Sequence, residues 1–167
     1  MKAIVAVDEN WAIGKDNDML ISIPDDMQFF VEQTREKVVV MGRNTLESLP
    51  GGRPLKNRTN IVVSRNMEER ENVIVVRSLE EALEKIKKLG IENTMIVGGD
   101  SIYRQFLDYC EECIITKIQK KFDEADRYFL NLDEDDNWEL INETDTYNWE
   151  GINYSFNWYR NLNLKEV

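Results

Sequence analysis

The sequence predicts an α/β fold: one domain over residues 1–167 with a central, mostly parallel, twisted β-sheet, helices on both faces and an antiparallel C-terminal edge. Three observations lead to this prediction. Short runs rich in Val and Ile recur along the chain, helical patterns separate them, and the tail is aromatic without a helical pattern. Strands that are apolar on both faces are typical of parallel sheets covered by helices.

Six short apolar runs predict the parallel strands, because β-branched residues dominate them. They are Lys2–Asp8, Lys37–Gly42, Thr59–Ser64, Val73–Arg77, Thr94–Gly98 and Cys113–Gln119. Two later runs, Trp138–Thr144 and Ile152–Leu162, have no helical pattern between them. They therefore predict an antiparallel pair at one edge of the sheet.

Two helices have clear boundaries in the sequence. Ser78 and Glu81 form a capping box at the start of a predicted helix Leu79–Leu89, and a glycine follows its end. A second helix is predicted from Pro24 to about Arg35, because proline fits the first helical turn.

The second helix carries two adjacent acids. At 100° per residue, Asp25 points nearly opposite the apolar face and Asp26 lies at its edge. A carboxylate beside apolar neighbours is costly unless something pairs with it, so Asp26 is a candidate ligand contact. Acids that only complement the helix N-terminus would look the same. The predicted buried face consists of Met27, Phe30, Val31 and Thr34.

The chain contains no histidine. This excludes Ser-His-Asp and Cys-His sites, histidine-ligated metals and imidazole acid–base catalysis. The two cysteines, Cys110 and Cys113, have the spacing of half a metal site or a redox pair. A second ligand pair is missing and β-branched residues follow Cys113, so we expect two reduced structural thiols and no metal.

Charge is unevenly distributed. The net charge of −11 argues against nucleic-acid binding, which needs a broad basic surface. Residues 35–65, the basic island, hold seven bases against two acids and suit a small polyanion, although a solvated basic surface would have the same composition. The bases are Arg35, Lys37, Arg43, Arg53, Lys56, Arg58 and Arg65.

Two predicted strands end in glycine just before a helical pattern, at Gly42 and at Gly98-Gly99. Glycine at such a position lets the backbone approach a phosphate closely. Neither segment is a Rossmann or Walker motif, but two such strand ends in one sheet suggest a dinucleotide site.

No run approaches the roughly 18–20 apolar residues that span a bilayer. The first strand reaches Asp8 too early for a secretory signal. We therefore expect a cytoplasmic protein that does not associate with membranes.

Several short segments follow one another in a defined order. They are Val7–Gly14 with Asn17 and Met19, Ile23–Met27, Met41–Thr45, Arg58, Val62–Arg65, Val97–Gly99, Ile102–Tyr103, Thr116 and Ala125–Phe129. These segments and their intervals resemble the dihydrofolate reductase family over nearly the whole chain. The resemblance implies a monomer that uses NADPH to reduce 7,8-dihydrofolate to tetrahydrofolate for one-carbon metabolism, and that also binds antifolates.

The resemblance also implies roles for individual residues. Asp26 would bind the N–H groups of the pterin ring, together with Thr116, and promote protonation of the imine nitrogen while hydride reaches the imine carbon. Arg58 would bind the α-carboxylate of the glutamate tail. The other implied substrate contacts are Ile4, Val5, Ala6, Met27, Phe30, Leu49, Val97 and Tyr103.

The implied cofactor contacts fall into three groups. Those at the 2′-phosphate are Arg43, Ser64 and Arg65. Those near the pyrophosphate are Thr45, Gly99, Asp100 and Ser101. The remaining ones are Ala6, Ile13, Gly14, Asn17, Met19, Gly42, Asn44, Val97, Gly98, Ile102 and Tyr103.

The sequence departs from the family pattern at two places. Leu20 and Ile21 replace the usual proline and tryptophan before the substrate helix, so an indole N–H donor is lost. Asp100 and Ser101 replace small or basic residues, and an acid near a pyrophosphate is unfavourable unless it points away. Two other functions remain open: a reductase of this fold acting on a pyrimidine, and a nucleotide-binding module without turnover.

Overall fold

A computed structural model describes residues 1–15 and 18–167. The strands are β1 Lys2–Val7, β2 Ala12–Gly14, β3 Val38–Gly42, β4 Thr59–Val63, β5 Ile74–Val76, β6 Thr94–Gly98, β7 Glu112–Ile118, β8 Arg127–Tyr128, β9 Trp138–Glu143, β10 Tyr147–Trp149 and β11 Ile152–Asn161. The α-helices are α1 Pro24–Thr34, α2 Arg43–Ser48, α3 Leu79–Leu89 and α4 Asp100–Phe106. Short 3-10 helices span Pro50–Gly52, Ile91–Asn93, Leu107–Tyr109 and Leu132–Glu134.

Within the described residues, nine strands form one sheet in the order β10-β11-β7-β1-β6-β3-β4-β5, with β9 also paired to β11. The strands from β7 to β5 in this order are parallel neighbours. In contrast, β11 is antiparallel to β7, and both β9 and β10 are antiparallel to β11. The predicted fold class is therefore confirmed.

The predicted parallel strands are present, and their ends differ from the predicted ones by one residue at most. Strands β3 and β4 show why the sequence was informative: Val38–Met41 and Asn60–Val62 are buried on both faces of the sheet. Helix α3 has the predicted bounds, and its N-cap Ser78 Oγ accepts a hydrogen bond from the Glu81 N–H at 3.1 Å. Gly90 ends this helix at φ 115°, a conformation that favours glycine.

Helix α1 differs from the predicted wheel. Its buried residues are Asp26 and Thr34, whereas Met27 is 39% exposed and Phe30 and Val31 are only partly buried. The reason is that Met27 and Phe30 line an open cavity, although Phe30 also packs against the core beside the sheet. A pattern of apolar residues does not distinguish a helix face that packs on protein from one that lines a binding cleft.

Two short pairings escaped prediction. Strand β2 pairs with β8 in a separate two-stranded sheet, the β2–β8 ribbon, and β10 pairs with one end of β11. Each of the three newly observed strands has two or three residues, too few to show a periodicity. The ribbon joins the segment after β1 to the Ala125–Phe129 segment, which the sequence analysis included in the family resemblance.

None of the helices in residues 1–15 and 18–167 has the length and apolar character needed to cross a membrane.

Candidate active site

A cavity of about 1080 Å³ opens at the carboxyl ends of β1, β3, β4 and β6, where α/β sheets bind their ligands. This volume is at the upper end of the roughly 300–1,000 Å³ range of ligand pockets. The cavity is lined by most residues singled out in the sequence: Ile4, Val5, Ala6, Ile13, Gly14, Met19, Asp26, Met27, Phe30, Gly42, Arg43, Asn44, Thr45, Leu49, Ser64, Arg65, Val97, Gly98, Gly99, Asp100, Ser101, Ile102, Tyr103 and Thr116.

The α1 end of this cavity, defined by Asp26, Met27, Phe30 and Thr116, holds a buried carboxylate. The Thr116 hydroxyl donates a hydrogen bond to Asp26 Oδ1 at 2.6 Å. Thr116 is in position because β7 pairs with β1 and places it beside Ala6. Burial raises the pKa of the Asp26 carboxyl, and the Thr116 hydrogen bond acts in the opposite direction. This carboxylate can bind N–H groups of a flat heterocycle and influence its protonation.

Asp25 lies in a different environment from its neighbour. It is exposed, but its Oδ2 accepts a hydrogen bond from the Tyr154 hydroxyl at 3.1 Å. Asp25 therefore fastens α1 to β11 from outside the cavity, a contact that the helical wheel did not indicate.

The floor of the cavity is fixed by Tyr103 on α4. Its hydroxyl donates to the Ile4 carbonyl oxygen on β1 at 2.7 Å. Burial raises the pKa of this phenol, and the nearby Cys113 and Cys110 add to the shift, so Tyr103 is a neutral donor that joins α4 to β1. A Cβ added to Gly98, which has φ +126°, would lie 3.4 Å from the Tyr103 hydroxyl oxygen. Both Gly98 and Gly99 line the cavity, and because they lack side chains a ligand can approach their backbone closely.

The arginine end of the cavity consists of Arg43, Ser64, Arg65 and Arg77. The Arg43 Nε donates to Glu47 Oε1 at 2.7 Å, within α2. The Arg77 Nη1 donates to the carbonyl oxygens of Ser64 and Met67 at 3.0 and 2.5 Å and so shapes the turn after β4. Sequence reasoning missed Arg77 because it follows β5, outside the basic island. The signal that could have identified it is its position directly after a strand, because the cavity lies at the carboxyl ends of these strands.

Arg58 is not among the described cavity-lining residues. Its guanidinium donates to Thr34 Oγ1 at 3.0 and 3.2 Å, to the Val31 carbonyl oxygen and to the Lys56 carbonyl oxygen. Partial burial lowers the pKa of Arg58, and the charge of Arg35 lowers it further. The side chain is therefore held against the C-terminal turn of α1.

The segment before α1 forms one rim of the cavity, with Met19 47% exposed and Ile21 partly buried beside Ile23. Asn17 lies outside the described residues.

Asp8, which the sequence analysis treated only as a strand end, is 4% exposed. Its carboxylate accepts hydrogen bonds from the N–H groups of Asn10, Ala12 and Phe122 at 2.8, 2.9 and 2.9 Å. It thereby fixes the turn that leads into β2.

The remaining polar features have simple roles. Asp100 is paired with Arg104 Nη1 at 3.2 Å and with Arg127 Nε at 3.5 Å, so nearby cations compensate its charge.

Cys110 and Cys113 are both buried free thiols, in agreement with the sequence analysis. Burial raises the pKa of Cys110 to about 12, so this thiol is unreactive at neutral pH.

Comparisons with known proteins agree on one family. A family model described as dihydrofolate reductase matches residues 1–161. A dihydrofolate reductase of Bacillus subtilis is 37% identical over 160 residues, which cover 90% of this chain and 91% of the relative. That of Haemophilus influenzae is 40% identical over 136 residues, which cover 81% and 79%.

A solved structure gives the same answer. The dihydrofolate reductase from Enterococcus faecalis, complexed with NADP(H) and RAB-propyl, superposes with a TM-score of 0.84 at 31% identity, covering 96% of this chain and 95% of its own. The resemblance seen in the sequence is thus confirmed. This chain belongs to the dihydrofolate reductase family.

Proposed function

We propose that the chain catalyses the NADPH-dependent reduction of 7,8-dihydrofolate to 5,6,7,8-tetrahydrofolate and so supplies one-carbon metabolism. The observation that carries this proposal is the buried Asp26–Thr116 pair in a cavity that is also lined by Arg43, Arg65 and Arg77. Family membership alone would not specify the substrate, whereas a single carboxylate in the wall of an apolar slot fits a pterin.

The residues present fit NADPH. Guanidinium groups at the arginine end, from Arg43, Arg65 and Arg77, suit a phosphate on the adenosine ribose. The bare Gly98-Gly99 turn leaves room for a pyrophosphate beside Thr45, whose Oγ1 lies 3.5 Å from a Cβ built on Gly99. When bound, NADPH supplies the hydride that reduces the pterin imine.

At the α1 end, Asp26 binds the ring N–H groups of the pterin, with Thr116 holding the carboxylate in place. The negative charge of Asp26 favours positive charge on the pterin ring and so raises the basicity of the imine nitrogen. A water molecule delivers the proton to that nitrogen. Apolar side chains from β1, α1 and β6 exclude other water from the slot; they include Ile4, Met27, Phe30 and Val97.

We assign Arg58 to the glutamate tail of the substrate. Four hydrogen bonds to Thr34, Val31 and Lys56 fix its orientation. They use four of the five N–H donors of the guanidinium, so its positive charge and one Nη1 N–H remain for a carboxylate.

We further propose a cytoplasmic monomer whose partners are small molecules, dihydrofolate and antifolates. The cavity is built from this one chain, which supports a monomer. The two unpaired thiols suit a reducing compartment. Light scattering of the purified protein tests the monomer.

One assay separates this function from its rivals. The protein is mixed with NADPH and dihydrofolate, and the loss of nicotinamide absorbance is followed with and without methotrexate. We expect turnover that methotrexate abolishes. Turnover only with an aminopyrimidine substrate would indicate the other reductase, and cofactor binding without any turnover would indicate a binding module.

A further inference from the structure

Arg127 lies in the cavity but has no role among the residues assigned so far. It is in β8, and its register partner is Gly14 in β2. Its Cβ lies 3.8 Å from a Cβ built on Gly14, and its side chain lines the same cavity as the Gly98-Gly99 turn. Arg127 therefore extends from the β2–β8 ribbon towards the amino end of α4.

The contacts of Arg127 orient its guanidinium but do not use all five of its N–H donors. Its Nε lies 3.5 Å from Asp100 Oδ1 and its Nη1 lies 3.8 Å from Asp126 Oδ1. Both distances are longer than a hydrogen bond. Its Nη1 donates a hydrogen bond to the Asp126 carbonyl oxygen at 3.2 Å.

Asp100 requires such a partner. It is the residue that directly follows the Gly98-Gly99 turn, and an isolated carboxylate there would repel a diphosphate. Arg104, one turn along α4, pairs with Asp100 Oδ2 at 3.2 Å and offsets its charge. Arg127 then adds a second cation on the side of the cavity.

We propose that Arg127 is a cofactor-binding residue that donates to the pyrophosphate of the nicotinamide nucleotide, and that Asp100 positions its guanidinium. This inference rests on the proposed use of a nicotinamide cofactor. Arg127 belongs to the β2–β8 ribbon. A pyrophosphate bound to Arg127 and to the Gly98-Gly99 turn before α4 would therefore connect the ribbon to α4. It also explains why an acid is tolerated directly after the glycine pair.

The test compares Arg127→Gln with Arg104→Gln. Both substitutions remove an arginine from the same carboxylate of Asp100, but Arg104 is not among the cavity-lining residues that the structure describes. Dissociation constants for NADPH, NADH and methotrexate are measured by quenching of protein fluorescence, and thermal midpoints are measured in parallel. Arg127→Lys serves as a charge-preserving variant should Arg127→Gln unfold.

We expect Arg127→Gln to raise the dissociation constants of NADPH and NADH by the same factor, about five- to tenfold for a partly screened charged contact. Both nucleotides contain the pyrophosphate, so the factor must be shared. Arg104→Gln changes either constant by less than about twofold, Arg127→Lys recovers part of the affinity, and methotrexate binding in the absence of nucleotide is unchanged.

Three results would overturn the proposal: unchanged nucleotide affinity in Arg127→Gln, a loss confined to NADPH, or equal losses in Arg127→Gln and Arg104→Gln. The second would place Arg127 at the 2′-phosphate, and the third would give it a purely structural role. Failure of the proposed function is seen separately, as wild-type protein that binds both nucleotides but does not reduce dihydrofolate.

Discussion

The two ends of the cavity differ in the sign and the burial of their charged groups. At the α1 end, a single carboxylate, Asp26, is 8% exposed and has one short hydrogen bond from Thr116. At the arginine end, cations lie near solvent, and the Arg43 side chain is 48% exposed and paired with Glu47. Interactions of exposed charges are screened by salt, whereas a buried charge acts at short range in a low dielectric. We therefore expect a single substitution at the α1 end to have a large effect. At the arginine end several cations share the contact, so each substitution should have a smaller effect that depends on salt.

The largest effect is expected for Asp26→Asn. This change keeps the shape and an acceptor for Thr116 but removes the charge that favours protonation of the imine. Turnover near neutral pH should fall by at least ~10²-fold, the scale of acid–base assistance. Steady-state rates with NADPH and dihydrofolate give the measurement.

Asp25→Asn is the matched control, because its amide oxygen can still accept the Tyr154 hydroxyl. Its rate should stay within about threefold of wild type, as expected for a surface polar change. Equal losses in the two variants would mean that burial does not set the role of Asp26.

The second effect concerns the basic island. Replacing Arg43 and Arg65 together with Ala should raise the dissociation constant of NADPH by about 10²-fold or more, since each of the two charged hydrogen bonds contributes about 1.5–3 kcal/mol before screening. NADH affinity should barely change because NADH lacks the 2′-phosphate. Arg65 should carry most of the loss, since Glu47 competes for Arg43.

Titrations with both nucleotides at low and high salt provide the check. The wild type should lose NADPH affinity with salt more steeply than the double variant. Equal losses of NADPH and NADH would place the two arginines at a shared part of the cofactor or in the scaffold.

A third, smaller effect concerns Ile21, which packs beside Ile23 at the α1 end. Ile21→Trp restores an indole donor and should tighten methotrexate binding by about 0.5–1.5 kcal/mol, the net contribution of one hydrogen bond. The gain should be insensitive to salt because the donor is neutral. Unchanged or weaker affinity in an equilibrium titration would show that the pocket is built around isoleucine.

The smallest effect concerns stability and pH. Burial raises the pKa of Asp26, so between its unfolded value of 3.8 and its higher folded value the native state holds a proton that the unfolded chain loses. Native stability therefore falls as pH rises through this window. The Asn variant lacks this penalty and should melt a few degrees higher than wild type at neutral pH, with the difference vanishing below pH 3.8. Calorimetry of both proteins across this range gives the test.

The same contrast between buried and exposed groups explains what could be predicted from sequence. Buried strands such as Val38–Gly42 have a strong local pattern, and the capping box of α3 fixes its ends, so these elements were predicted closely. Asp26 was also found locally, because an acid at the edge of an apolar face is unusual. The β2–β8 ribbon joins residues more than a hundred positions apart, and no local pattern reports such a contact.

The sequence also did not show which groups would pair with the charged residues. The sequence showed an acid at Asp100 but not that Arg127 would lie beside it. The helical pattern alone placed Met27 on the buried face, whereas Met27 faces the cavity, as the family resemblance implied. Arg58 stays a predicted ligand contact, and the sequence did not show its hydrogen bonds to α1. Long-range packing determines these features.

A single-turnover experiment tests the central claim, that the negative charge of Asp26 promotes protonation and hydride transfer in addition to the contact that Asp26 makes with the pterin. Protein saturated with NADPH deuterated at the transferred position is mixed with dihydrofolate across a range of pH, for wild type and Asp26→Asn. We predict deuterium at the reduced carbon of the wild-type product, and a variant that binds both ligands but approaches the wild-type rate only at acidic pH, where dihydrofolate is protonated in solution. A variant with the wild-type rate at neutral pH would contradict the claim.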